Sequence, residues 1–540
     1  MEAIGVGLSV PATIKLLIGV IRLCCDLADD IRDWNDDTRK LALRMSLQVS
    51  LTQHLCNLLF GSVTSHPNVA DDLPLIDRLS PSLQRDVCSM ILEFHNVIES
   101  KYNILKQNYG LKPPKRPPLL PAQSSLSIQS APAIASPSPD ESKFRFSWVL
   151  WGKRRVQAAV RECEQWNERL VAIVQTFVLE DLRAASRAIP DQHVARLKKD
   201  ADAQALGLSN DIEIAQMTAG DGQNWHTLEL FAVALEAHSQ SRQVCYGKYD
   251  GQHVVLDIKT FDRDYSDKSS MEPRPEILSR IGQLAVLLNR RHSVRARLLP
   301  CQGFFRLSDR RAIALVFQFP SGCFSAPTPL RDMLETTKMS EKPSLEARLR
   351  LALTLAVALF QFHAVGWVHK SFRSSNILFF PDESPSPSAV DNPYLVGFEY
   401  AREDAGFSDN PVYPDIATDI YRHPQTWGKP TTNFQKMHDI YSLGVVLLEI
   451  GLWQPVAALE RTQFRDLVYS DRFAVQELFQ TEAARRLPFG LGSAYAEVVR
   501  KCLTGRFDVF PGEEEEGLSQ GEYQNQIVDV LRKLAPLFEG

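Results

Sequence analysis

The densest run of chemistry-bearing side chains is VHKSFRSSNILFF, Val368 to Phe380, in which His369, Lys370 and Ser371 precede Asn376 by a few residues. The run offers an imidazole, two cations, three hydroxyls and an amide, but no carboxylate. A serine hydroxyl is neutral and accepts no proton near pH 7, so Ser371 is a poor general base. A second apolar stretch, YLVGFEYAR (Tyr394 to Arg402), contains Gly397, Phe398 and Glu399, and a third, VVLDIKTF, carries Lys259. No His, Asp, Glu or Cys cluster has metal-ligand or nucleophile spacing, which weighs against a metalloenzyme, nuclease or hydrolase.

These residues lie late in a chain of 540, too long for one core, so two or three domains are expected. Apolar residues make up 44%, charged residues 23%, and the net charge is −5, a balance that does not point to nucleic acid. The nine cysteines are scattered without CxxC spacing, which fits buried thiols in a reducing, cytoplasmic setting. The N-terminal GLSVPATIKLLIGVIRLC is apolar but interrupted by Lys15 and Arg22, seven residues apart on one helix face. It is too broken for a span of about 20 apolar residues. Leu8, Ile14, Leu17, Ile18 and Ile21 form its apolar side, which suits either a core helix or a helix able to enter lipid.

The first part of the chain reads as helical. Leu47, Leu51, Leu55 and Leu58, then Leu83 to Val97, then Val156 to Phe177 keep helical spacing. Between them lies a Pro- and Ser-rich stretch, about 110–142, expected as a flexible insertion. The reading is therefore a helical bundle over 1–205, a polar linker over 206–224, and a further domain over 225–540. Two separate helical units remain an alternative to one bundle. In the further domain, strands flank a turn at Tyr249-Asp250-Gly251, Pro275 opens a helix, RAIALVFQFP is a strand, and LEARLRLALTLAVALFQFHAVG is a long helix. That order is α+β.

The second half resembles the protein kinase fold. The long helix ends FQFHAVGWVHKS, Asn376 opens NILFF, YRHPQ (Tyr421 to Gln425) replaces an Ala-Pro-Glu segment, and HDIYSLGVVLLEI carries Asp439, Ser442 and Gly444 in order. The resemblance implies a bilobal domain in which Ser371 takes the place of the catalytic aspartate and Gly397 that of the metal-binding Asp of Asp-Phe-Gly. It also implies that Glu399 takes the place of that motif's glycine, that Lys259 is the nucleotide-phosphate lysine, and that Glu276 is a weak candidate for its partner, with Gln283 an alternative at that position. No Gly-x-Gly-x-x-Gly precedes Lys259. The domain is thus expected to be a pseudokinase with no intact catalytic set, no required cofactor and no metal, and with at most weak ATP binding.

A helical bundle joined to such a domain is similar to the mixed-lineage-kinase-like executioners of necroptosis. The N-terminal segment and RFSWVLWGKRRVQAAVRECEQWNERL resemble the fungal HeLo or HeLo-like (prion-inhibition and propagation) domains. What this implies is a signalling protein of regulated cell death or incompatibility. On a signal from an upstream receptor or regulatory protein, its bundle would oligomerise and engage membrane lipid. Two other readings stay open: a divergent active kinase using Asp391 or Glu399 as base, and a non-catalytic scaffold.

Overall fold

The structure is a computed structural model. It describes residues 10–31, 36–61, 75–78, 81–109, 153–185, 197, 199–206, 208–209, 212, 230, 235–237, 244–260, 273, 275–289, 297–307, 312–337, 341–381, 390–398, 401–403, 416–427, 434–459, 472–507 and 520–535. Leu8, Glu399 and the insertion expected at 110–142 lie outside the described residues. The chain divides into two compact units, 1–212 and 213–540. The division falls inside the stretch read as linker. Leu206, Leu208 and Ile212 are buried, and all three belong to the first unit.

The first unit is helical: α1 (Val10–Ile31), α2 (Asp36–Phe60), the short α3 (Leu75–Arg78), α4 (Pro81–Tyr109), α5 (Lys153–Ala185) and α6 (Ala201–Ala205). Helix α1 packs on α2 and α4, and α5 packs on the same two, so α1 and α5 are diagonal partners in a four-helix bundle. Leu17, Val20, Cys24 and Leu27 of α1 face the centre with Val87, Ile91, Phe94 and Ile98 of α4 and Val156, Val160, Cys163 and Leu170 of α5. Phe94 and Trp166 stack at 5.8 Å. Lys15 and Arg22 stand on the solvent side of α1, and so does Ile18.

Helix α2 corrects the sequence reading. Leu47 is exposed and Leu51 half-buried, while Met45, Gln48, Thr52 and Leu55 line the core. The polar pair is tolerable because it is satisfied. Asn167 Nδ2 donates to the Gln48 main-chain and side-chain oxygens, each at 3.0 Å, and the Thr52 hydroxyl donates to Asn167 Oδ1 at 2.9 Å. Near the end of the unit, Asp200 caps α6 by accepting from Ala203 N at 2.9 Å, and His54 Nδ1 meets Asp202 at 2.6 Å. No helix of the described residues is long and apolar enough to cross a membrane.

The second unit begins with an antiparallel sheet in the order β1-β2-β3-β5-β4: β1 (Leu235–Ala237), β2 (Val244–Tyr249), β3 (Gln252–Thr260), β4 (Cys301–Leu307) and β5 (Ala312–Gln318). Asp250 and Gly251 join β2 to β3 with φ of 47 and 74, the left-handed pair that a two-residue hairpin loop requires. Cys245, Val254, Leu256, Phe305, Ala314 and Val316 form a core on this sheet. Helix α7 (Pro275–Asn289) packs beside β4.

A mostly helical part follows. Its elements are β6 (Thr328–Pro329), α8 (Leu330–Thr336), α9 (Leu345–Ala364), β7 (Trp367–Val368), β8 (Ile377–Phe379), β9 (Pro393–Leu395), β10 (Arg402–Glu403) and α10 (Ile416–Asp419). Then come α11 (Lys436–Leu452), α12 (Arg472–Leu491), α13 (Ser493–Thr504), α14 (Gln520–Tyr523) and α15 (Asp529–Leu534). Helix α11 is buried nearly end to end; a Cβ on Gly444 would meet Cys502 Cβ of α13 at 2.7 Å, so the two helices touch backbone to side chain there. A helical bundle followed by a strand-rich then helix-rich α+β unit is the order of a kinase-like bilobal domain.

Candidate functional site

Helix α9, started by the Ser344 hydroxyl accepting from Ala347 N, carries the chain to Gly366 and then through β7 into His369. Helix α11 meets the same place from the other side. Its Asp439 accepts the N–H of His369 at 2.6 Å and of Lys370 at 2.8 Å, and His363 Nε2 donates to it at 3.1 Å. Burial pushes the Asp439 carboxyl up, but the His363 hydrogen bond and the charges of His363 and His369 outweigh it, so the group lies below its ordinary value. Lys370 takes φ of 64, and its ammonium lies 5.4 Å from the Phe434 ring centre. One buried anion holds the start of the loop, at His369 and Lys370.

The His369 ring sits 4.7 Å from Phe398, which in turn lies 5.6 Å from Phe362 and 5.9 Å from Phe317 of β5. This column of rings joins the five-stranded sheet to the loop. The backbone N–H of Phe398 donates to Asp257 Oδ2, a buried carboxylate on β3. Asp257 was not read as a site residue in the sequence. An acid flanked by Val254, Val255, Leu256 and Ile258 in a buried strand was the available signal.

The positions that should carry chemistry are brought together, but they bond to one another. Asn376 Nδ2 donates to the Ser371 main-chain oxygen at 2.8 Å and lies 3.1 Å from its hydroxyl. Ser371 N points at His369 Nδ1, 3.3 Å away. Gly397 has φ of 86, and a Cβ built on it would overlap the Asn376 amide. The space that a side chain at 397 needs is filled by the Asn376 side chain.

Lys259 is buried on β3, on the same face as Asp257 two residues earlier. Glu276, the weak candidate partner, is exposed in the first turn of α7, a helix-dipole position, and among the described residues no ion pair joins it to Lys259. Gln283 is half-buried on the same helix. Asp391, the alternative base, pairs with Arg350 at 3.3 Å. Among the described residues no group of three His, Cys, Asp or Glu could hold a metal ion.

A buried triad missed by the sequence reading lies behind the loop. The Ser374 hydroxyl is 2.8 Å from Tyr421 Oη, which donates to Glu449 Oε1 at 2.6 Å, and Val456 N donates to the same oxygen at 2.9 Å. Burial raises the Glu449 carboxyl to about 7 against the pull of these donors. The network ties the loop, the YRHPQ segment and α11 into one body.

A family model described as Domain of unknown function (DUF7580) matches residues 178–533, more than half of the chain. The chain belongs to that family. Its match covers the loop, the ring column and the Ser374–Tyr421–Glu449 network, so the whole candidate site falls inside the DUF7580 region. The chain is also similar to the LEAF RUST 10 disease-resistance locus receptor-like protein kinase-like 1.3 of Arabidopsis thaliana, at 27% identity over 242 residues, 41% of this chain. The match spans 30% of that relative's length. This DUF7580 protein is therefore a distant relative of a receptor-like protein kinase.

Proposed function

We propose that the kinase-like unit is a non-catalytic signal receiver and that the N-terminal bundle is the effector it controls. The observation that carries the first part is the Asn376 amide filling the space at Gly397. A metal-holding carboxylate is missing, and the residue that would share the metal is turned onto Ser371. Asp257, on the face of Lys259, is buried and takes up the Phe398 N–H, so a second acid beside the lysine supports weak nucleotide binding at best. Asp391 is paired with Arg350, so it is a poor substitute base.

The effector part rests on α1. Its Leu17, Val20, Cys24 and Leu27 are buried while Lys15 and Arg22 are exposed, the arrangement of an amphipathic helix seated in a bundle. Released from the bundle, the same face would enter the lipid interface with Lys15 and Arg22 snorkelling. This supports a membrane-directed action of the HeLo-like kind, in regulated cell death or incompatibility, with a homo-oligomer as the active form.

The test is dye leakage from anionic liposomes, comparing residues 1–212 with the full chain. Leakage by the fragment, little by the whole chain, and none after Leu17→Glu is the expected result. A fragment that is folded by circular dichroism yet causes no leakage removes the effector role and leaves a scaffold. Transfer of labelled phosphate by the full chain, abolished by Lys259→Met, would overturn the non-catalytic reading.

A further inference from the structure

In the centre of the bundle, Cys24 Sγ of α1 and Cys163 Sγ of α5 are 3.4 Å apart. The two helices are diagonal partners, and the two residues are 139 positions apart in sequence. Cys24 is 3% exposed and Cys163 1%. A disulfide needs its sulfurs at about 2.0 Å, so the pair must close by about 1.4 Å. The sulfurs already face each other, and closure takes a movement of side chain and helix.

We propose that Cys24 and Cys163 are a thiol-pair modification site which a hydroperoxide converts to a disulfide, latching α1 to α5. In the first step one thiolate attacks the O–O bond of the hydroperoxide. A sulfenic acid forms, and the other oxygen leaves as an alcohol or water. The facing sulfur then attacks the sulfenic sulfur: the S–S bond forms, the S–O bond breaks, and the oxygen leaves as water with the second thiol's proton. Two electrons pass from the sulfur pair to the peroxide.

The surroundings set when this happens. The contact with Cys24, and then burial, hold the Cys163 thiol well above its ordinary value, so thiolate is scarce while α1 is seated. The first step therefore belongs to moments when the α1 end of the core opens, and reseating delivers the second sulfur. Once formed, the bond closes a loop of well over a hundred residues and removes the separated arrangement of α1 and α5. The latch does not depend on what α1 does after release.

The experiment uses the full chain with Cys25→Ala, so that the neighbouring thiol cannot be confused with Cys24. After hydrogen peroxide, alkylation and digestion without reductant, a peptide containing Cys24 should be joined to one containing Cys163, and dithiothreitol should separate them. Hydrogen exchange of the α1 amides in the oxidised chain should slow by roughly tenfold or more, as a cross-link's usual stabilisation predicts. Cys163→Ser and, independently, Cys24→Ala should each abolish both effects. Absence of the joined peptide, its appearance only in chain oxidised under denaturing conditions, or a joined chain whose α1 exchanges as fast as the reduced one would each overturn the proposal.

Discussion

The carboxylate of Asp439 accepts the backbone N–H of His369 at 2.6 Å, from a helix seventy residues further along the chain. It fixes the start of the loop from His369 to Asn376, which carries no acidic side chain. Asp439→Ala leaves two buried N–H groups and His363 without their acceptor, and should cost about 3–5 kcal/mol. Urea unfolding of the full chain measures this. Because the folded carboxyl is held below its ordinary value, the stabilisation is complete above that value and fades as pH falls through the lowered one.

Glu449 behaves in the opposite sense. Its carboxyl is raised from 4.5 to about 7, so the folded state binds a proton that the unfolded chain has already lost between those values. Stability is therefore greatest below 4.5 from this group and declines as pH rises through about 7, by about 3 kcal/mol. Thermal unfolding between pH 5 and pH 8 should show the decline in the wild type and a flatter profile in Glu449→Gln. Equal slopes would assign the pH dependence elsewhere.

Placing acids at positions 371 and 397 should not create activity. Gly397→Asp forces a side chain into left-handed backbone and into the Asn376 amide, at a cost of about 2–4 kcal/mol. Ser371→Asp with Gly397→Asp should give no phosphoryl transfer. Adding Asn376→Ala to Gly397→Asp should recover part of the lost stability, because it empties the contested space; a double-mutant cycle with no coupling would contradict the packing described.

In the bundle, Asn167→Ala strips its two donated hydrogen bonds from Gln48 and should cost about 2 kcal/mol by denaturant unfolding, while the Thr52 hydroxyl keeps the Gln48 main-chain oxygen as acceptor. Replacing Gln48 and Asn167 by Leu together should cost less than the single truncation, since side-chain donor and acceptor are then removed as a set.

Much of this arrangement was legible before any coordinates. The hairpin at Asp250-Gly251 follows from residues that accept positive φ, and α7 from Pro275 ahead of an apolar period. The loop, from His369 to Asn376, was found by residue types and order. The α2 core face was not, because Gln48 and Thr52 read as outward until Asn167, well over a hundred residues away, supplies their hydrogen bonds. Asp257 and Glu449 were hidden for the same reason. A lone acid in an apolar strand or helix shows that something unusual is there, but its partner is named only by tertiary proximity.

The ring column from Phe317 through Phe398 to His369 sets apart two kinds of position in this unit. Positions 371 and 397 are held locally, each against the Asn376 side chain. His369, Phe398 and Asp439 carry mechanical continuity between sheet and helices. The column therefore couples the sheet to the loop mechanically, whatever chemistry the loop performs.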